Sequence, residues 1–196
     1  MLVFWKEKLV YLATPKTGST AIEAALEPLA SVVIQRPPAL KHTNVRRYWQ
    51  SFAPFLERAS GERFEVVAMM REPVGWLSSW YRYRQRDNIY RAENSTKGIS
   101  FDQFVEAYLG QDRPPYANLG RQSAFLHPDE GRGADRIFRY EAIGEFVHFL
   151  EDRLNCEISL PRLNVSPEGP AGLSAGVDAR LRRELAEDFA LYASLG

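Results

Sequence analysis

Leu9 to Ala13 is a short apolar run rich in strand formers, and Ile22, Ala25, Leu26 and Leu29 follow it at helical spacing. A strand therefore hands over to a helix across one short turn, Thr14-Pro15-Lys16-Thr17-Gly18-Ser19-Thr20. N–H groups at a helix start have no intrahelical partner, and the positive end of the helix dipole lies there too. Gly18 lets the backbone come close to a ligand, Lys16 adds a full charge, and the hydroxyls add donors. The turn reads as an anion site, although strand-to-helix turns capped by Thr or Ser are common in α/β proteins. It does not follow the nucleoside-triphosphatase pattern, in which Lys and Ser/Thr come directly after the second glycine. Here Lys16 precedes Gly18, and the first glycine is missing.

A chain of 196 residues is long enough for one good core and fits a single domain, 1–196. Twenty-five basic and 25 acidic residues cancel, which argues against a general nucleic-acid or membrane-surface binder while leaving room for a local basic cleft. Cys156 is the only cysteine, so neither an internal disulfide nor a thiolate metal cluster is possible. No apolar run reaches transmembrane length, and Lys6-Glu7-Lys8 cuts the run Met1 to Trp5 too early for a signal peptide. A cytoplasmic location is the expectation. The oligomeric state is left open.

Along the chain, Leu2 to Trp5 and Leu9 to Ala13 suggest a hairpin or one interrupted strand. Pro28 should stop the first helix near Glu27, and Ser31 to Ile34 is β-branched enough for a second strand. Gln35 to Thr43 reads as a loop held extended by Pro37 and Pro38. Tyr48, Phe52, Phe55 and Leu56 suggest a helix interrupted around Pro54. Phe64 to Met70 is a near-continuous apolar run, the pattern of a strand buried on both faces of a parallel sheet. Arg71 and Glu72 then lead to Pro73, which suits a first helical position. Ser100 with Gln103 makes a capping box. Ile137 to Tyr140 is the last strand, followed by a helix carrying Ile143, Phe146, Val147 and Leu150. One terminal helix should open at Ser174, with Val177, Leu181, Leu185, Phe189 and Tyr192 on one stripe.

Two motifs in order carry a resemblance. Pro15-Lys16-Thr17-Gly18-Ser19-Thr20 looks like the phosphosulfate loop of sulfotransferases that use 3′-phosphoadenosine 5′-phosphosulfate (PAPS). The run from Phe64 through Arg71-Glu72-Pro73 to Ser78-Ser79-Trp80-Tyr81 resembles the segment by which that family binds the 3′-phosphate of its donor, with Arg71 and Ser79 at the matching positions. Phe138-Arg139-Tyr140-Glu141, Leu163-Asn164-Val165-Ser166 and Asp188 to Tyr192 look like later landmarks of the carbohydrate-type branch. The chain is thus similar to a compact bacterial relative of that branch, without the anchor, stem and disulfides of its Golgi members.

The resemblance implies an α/β domain of the P-loop-like sulfotransferase kind, with a mainly parallel sheet flanked by helices. It implies transfer of a sulfuryl group from PAPS to a hydroxyl or amine of a carbohydrate or small molecule, without a metal. Lys16, Thr17, Gly18, Ser19, Thr20, Arg71 and Ser79 would bind the donor, and Lys16 would stabilise the leaving phosphate. His42 is the expected base, because carbohydrate-type relatives place a Glu or His in the loop after the second strand and an imidazole suits neutral pH. Glu23 is the reserve. Glu72 is expected to cap its helix, and His127 and His148 to be structural. The Arg-Lys-Gly phosphate motif of cytosolic small-molecule relatives is missing, which leaves Arg121 or Arg139 to complete the phosphate grip. Two other functions stay open: an ATP-dependent small-molecule kinase and a non-catalytic nucleotide-binding protein. The acceptor is open too. Arg82, Arg84, Arg86 and Arg91 suit an anion, whereas Trp49, Phe52, Tyr83 and Tyr90 suit a lipid or phenol.

Overall fold

The structure, a computed structural model, describes residues 1–89, 91–128, 131–161 and 172–195. Strands β1 (Leu2–Phe4) and β2 (Leu9–Leu12) are joined by a turn too short for a crossover, so they pair antiparallel, with Leu2 opposite Tyr11. Helix α1 (Ser19–Leu26) follows, continued by a 3₁₀ turn at Glu27–Leu29. Strand β3 (Val32–Val33) pairs antiparallel with β1.

The segment expected to be an extended loop contains a helical turn instead, α2 (Pro38–Lys41), with Pro38 in the first turn. A proline there gives up only an N–H that had no partner, so it starts helix as readily as it extends a loop. Helices α3 (Val45–Arg47) and α4 (Ala53–Ser60) are joined without a break by a π-helical stretch, Tyr48–Phe52. Pro54 cannot donate back to Gln50, and the wider turn ahead of it lets the helix pass the proline rather than end.

Strand β4 (Glu65–Met70) lies parallel to β2 and to β5 (Arg136–Arg139), with Leu12 opposite Ala68 and Met70 opposite Arg139. The remaining helices are α5 (Pro73–Tyr83), α6 (Phe101–Leu109), α7 (Gln122–Leu126) and α8 (Ile143–Leu154), then α9 (Ala175–Glu184) and α10 (Ala186–Ser194). The single terminal helix expected from one stripe is therefore two, broken at Leu185. Ser100 and Gln103 form both halves of the capping box of α6.

The sheet order is β3-β1-β2-β4-β5. It is mixed, not mainly parallel: the hairpin and the pairing of β3 with β1 make two of its four junctions antiparallel. Alternate residues serve opposite faces, as the pleat requires. Val10, Leu12, Val66, Ala68 and Met70 pack with Val45, Tyr48, Leu56 and Leu126. Leu9, Tyr11, Val67, Met69 and Phe138 pack with Ile22, Leu26, Phe146 and Leu150 on the other side. Trp76, Leu77, Phe104, Tyr108, Leu181 and Leu185 form a third cluster, which ties α5 to α6 and α9. The protein is an α/β structure with helices on both sheet faces. Among the described residues no helix is long and apolar enough to cross a membrane.

Candidate active site

The parallel strands β2, β4 and β5 all end at one edge of the sheet, the edge at which open α/β structures receive ligands. From β2 the chain enters the loop Thr14–Gly18, which its own donors fold tightly: Thr14 N–H donates to Leu12 O at 3.0 Å, and Thr17 Oγ1 donates to Thr14 O at 2.9 Å. Lys16 and Gly18 both adopt left-handed backbone, at φ 66° and 71°. For glycine this is free. For Lys16 it costs on the order of 1 kcal/mol, and the loop sustains that cost at the residue whose ammonium it presents. A Cβ on Gly18 would also lie 3.1 Å from the Tyr140 ring, so glycine is needed there twice over. Gly18 is the N-cap of α1 and offers no side chain to its first turn, where Ala21 N–H donates to Gly18 O and the Ser19 and Thr20 N–H groups are left to a ligand.

Helix α5 closes the loop from above. Trp76 Nε1 donates to Pro15 O at 3.0 Å, and the Lys16 ammonium rests over the Tyr83 ring at 4.2 Å and the Trp80 ring at 5.5 Å. Ser79 is buried and shares the helical face of Trp76 and Tyr83, three residues before it and four after. From β4, Arg71 stacks over Tyr140 at 4.6 Å and donates through Nη1 to Lys16 O at 3.4 Å. Arg86 lies over the other aromatic of the set, Tyr83, at 5.3 Å. Lys16, Arg71 and Arg86 thus rest on aromatic faces, and among the described residues none of the three has a carboxylate within ion-pair distance. Burial lowers the Lys16 pKa to about 8, helped by the charges of Arg86, Arg71 and Arg82. Burial likewise lowers that of Arg71. Thr14 Oγ1 and Arg71 Nε are buried without a hydrogen-bond partner. Like charges gathered on low-polarity surface, beside unsatisfied donors, make a site that an anion would neutralise.

His42 ends α2, on the chain leaving β3, and its Nδ1 lies 2.6 Å from Ala13 O. A carbonyl only accepts, so Nδ1 carries the proton and the lone pair of the neutral ring is on Nε2. Burial holds its pKa below the ordinary 6.5, against the opposing pull of the Ala13 carbonyl. Tertiary structure therefore brings His42 to the strand end from which the Lys16 loop departs. Glu23 is 2% exposed and bound to Lys41 Nζ at 2.6 Å and to the Met1 amine at 3.5 Å. Its carboxylate already has two cationic partners and is shut away from an acceptor. Thr17 is buried in the loop, Ser19 is buried at the start of α1, and Thr20 is exposed on α1.

Other expectations sort in the same way. Glu72 caps α5 by accepting from Gly75 N–H at 2.6 Å. Arg121 pairs with Glu187 at 3.7 Å, and Arg139 donates to Tyr192 O and Ala193 O while stacking on Tyr192, so both serve the terminal helix. Trp49 donates to Gly133 O, and Phe52 packs in the core, which removes both from an acceptor pocket. Tyr90 and the Leu163 to Ser166 landmark lie outside the described residues.

Two residues to which the sequence assigns no part in the site hold Arg71 in place. Gln122 accepts from Arg71 N–H at 3.0 Å and donates to Arg71 O at 2.8 Å, replacing the neighbour strand that β4 has lost at its end. Asp188, buried at 1% exposure, accepts from Gln122 N–H, Ser123 N–H and Ser123 Oγ. It caps α7 from another helix, since Arg121 at the N-cap position provides no cap of its own. Hydrogen bonds to a charged group contribute about 1.5–3 kcal/mol each. Arg71 is thus tied through α7 to α10. No local signal marks this clamp, because its members are far apart in the chain.

No family model, no curated protein and no solved structure matches the chain.

Proposed function

We propose that the protein is a PAPS-dependent sulfotransferase of P-loop-like fold, moving a sulfuryl group to an acceptor hydroxyl or amine. The observation that carries this reading is the group of cations at the sheet edge, Lys16, Arg71 and Arg86, each held on an aromatic ring with no carboxylate within ion-pair distance among the described residues. Such a group fits a small ligand with several negative charges on phosphate and sulfate. Lys16, Thr17, Gly18, Ser19 and Thr20 would hold the 5′-phosphosulfate end, and Arg71 with Ser79 the 3′-phosphate. The donor brings the sulfuryl group and a phosphate leaving group. The chain's own residues align the acceptor, exclude water and supply charge and a base. Lys16 stabilises the phosphate as it departs, and His42 Nε2 takes the acceptor proton.

Thermal shift with 3′-phosphoadenosine 5′-phosphate (PAP) tests the reading directly. PAP without magnesium should raise the melting temperature, and adenosine monophosphate should do so much less. Stabilisation by ATP with magnesium but not by PAP would favour a kinase, and stabilisation by neither would favour a protein that does not bind such donors. Arg71→Ala should weaken PAP binding tenfold or more and erode its preference over adenosine monophosphate, because a charge-assisted hydrogen bond of about 1.5–3 kcal/mol is lost. Equal binding of both nucleotides by the unmodified protein would remove Arg71 and Ser79 from this role.

A pH dependence follows from Lys16. In the free protein its ammonium titrates near about 8, and a bound phosphate raises that value. PAP affinity should therefore be highest below pH 8 and decline as pH rises past it, with proton uptake on binding in that range. Calorimetry in two buffers of different ionisation heat would read both effects. A flat affinity from pH 7 to 9 would mean that Lys16 does not contact the anion.

A further inference from the structure

A second basic site is a cavity of about 430 Å³ lined by Arg84, Arg91 and Arg113, with Asn94, Asn118 and the Arg91 partner Glu93. Two of its guanidinium groups, those of Arg84 and Arg113, are held in place by neutral partners. Arg84 is 9% exposed, donates to Pro115 O at 2.9 Å and lies 5.3 Å from the Trp80 centroid. Arg113 donates to Leu119 O at 2.8 Å and stacks on Tyr108 at 4.6 Å. Both are positioned by neutral groups, a carbonyl and a ring, and neither has a carboxylate within ion-pair distance among the described residues. Glu93 answers only Arg91, so the cavity holds surplus positive charge in a chain whose total charge is zero. Burial lowers the pKa of Arg84, which is the cost of placing an unpaired cation there.

The cavity adjoins the candidate active site. One indole, Trp80, has the Lys16 ammonium 5.5 Å and the Arg84 guanidinium 5.3 Å from its centroid. Its Nε1 is buried and lacks an acceptor. Two amides and three guanidinium groups offer many donors, and among the described residues Pro115 is the one apolar side chain of the lining. A lipid tail or an unsubstituted phenol would leave the Arg84 and Arg113 charges desolvated without a counter-ion, whereas a carboxylate or sulfate ester would supply one. With Trp49 and Phe52 tied elsewhere, the balance between an anionic and an aromatic acceptor tips to the anion.

We propose that this cavity binds a carboxylate, sulfate or phosphate ester on a polar acceptor, so that the protein selects acceptors that are already negatively charged. The assignment to an acceptor rests on the sulfuryl-transfer reading; the binding of an anion in the cavity does not. The probe pair is galactose 6-sulfate and unsubstituted galactose, titrated calorimetrically into protein saturated with PAP so that the Lys16 cluster is occupied. The sulfate ester should bind at least tenfold more tightly than galactose, weaken as salt is raised, and lose about tenfold in affinity in Arg113→Gln. Arg91→Glu, at a side chain 63% exposed, is the second variant in case Arg113→Gln disturbs the Leu119 loop, and it should show the same loss. Retained PAP affinity certifies the fold of each variant. Equal binding of the two sugars, or variants that bind the sulfate ester as well as the unmodified protein, would overturn the assignment. If PAP itself fails to bind, the donor reading falls, while the same comparison of sugars and variants still decides the cavity.

Discussion

Lys16→Ala is expected to lower turnover by a hundredfold or more while changing PAP affinity by no more than about tenfold. Negative charge on the leaving phosphate grows towards the transition state, so the group that answers it there affects turnover more than ground-state binding. Arg71, Arg82 and Arg86 remain in the variant and keep the site positive. The ammonium is well placed for this because its own neighbours do not neutralise it: two aromatic faces hold it and three arginines repel it. Stability should move the other way. The folded-state pKa of about 8 is below the unfolded value of 10.5, so the charged lysine destabilises the fold. That destabilisation is fully present below pH 8 and disappears as pH rises towards 10.5. The variant should therefore melt no lower than the unmodified protein at neutral pH. Single-turnover transfer from labelled PAPS, PAP calorimetry and thermal melting together check the three expectations. Normal turnover would take Lys16 out of the chemistry.

His42→Ala should cost on the order of a hundredfold or more in turnover and leave PAP binding unchanged, because no donor contact is assigned to the imidazole. The hydrogen bond from Nδ1 to Ala13 O presents a lone pair on Nε2, and burial keeps the ring neutral at physiological pH. A base must be neutral, so the rate at low acceptor falls as pH drops through the His42 pKa. That limb lies below 6.5, lower than an unperturbed imidazole would place it. The opposite limb, in kcat/KM for the donor, should fall above about 8 as Lys16 loses its proton. The two limbs belong to separate profiles, one for the acceptor and one for the donor, and His42→Ala should erase the acid limb alone. A variant that keeps its activity, or that loses it only by unfolding, would exclude His42. Glu23 is a weak replacement, since Lys41 and the Met1 amine hold its carboxylate in the interior.

Much of this arrangement follows from short stretches of chain. Apolar runs at Leu9 to Ala13 and Phe64 to Met70, each ending in a turn with Pro and charge, mark buried strands leading into helices whatever surrounds them. The capping box at Ser100 and Gln103 is equally local, since both bonds close within four residues. Lys16 and Arg71 could be singled out for the same reason: each stands at the end of such a run.

Tertiary packing decided the rest. The place of Val32–Val33 beside β1 adds a second antiparallel junction to a sheet that the β1–β2 hairpin already makes mixed. The stripe from Val177 to Tyr192 was read as one helix, but packing Leu181 and Leu185 against α6 breaks it and turns Asp188 inward to cap α7. Arg82 and Arg86, which the sequence offers only as part of a set that suits an anion, add their charge to that of Lys16, and Tyr83 of α5 touches both Lys16 and Arg86. Periodicity and turn chemistry are properties of neighbours in sequence. Which cations share one aromatic face, and which carboxylates are kept away from them, depends on contacts between distant segments, and only the folded chain brings those together.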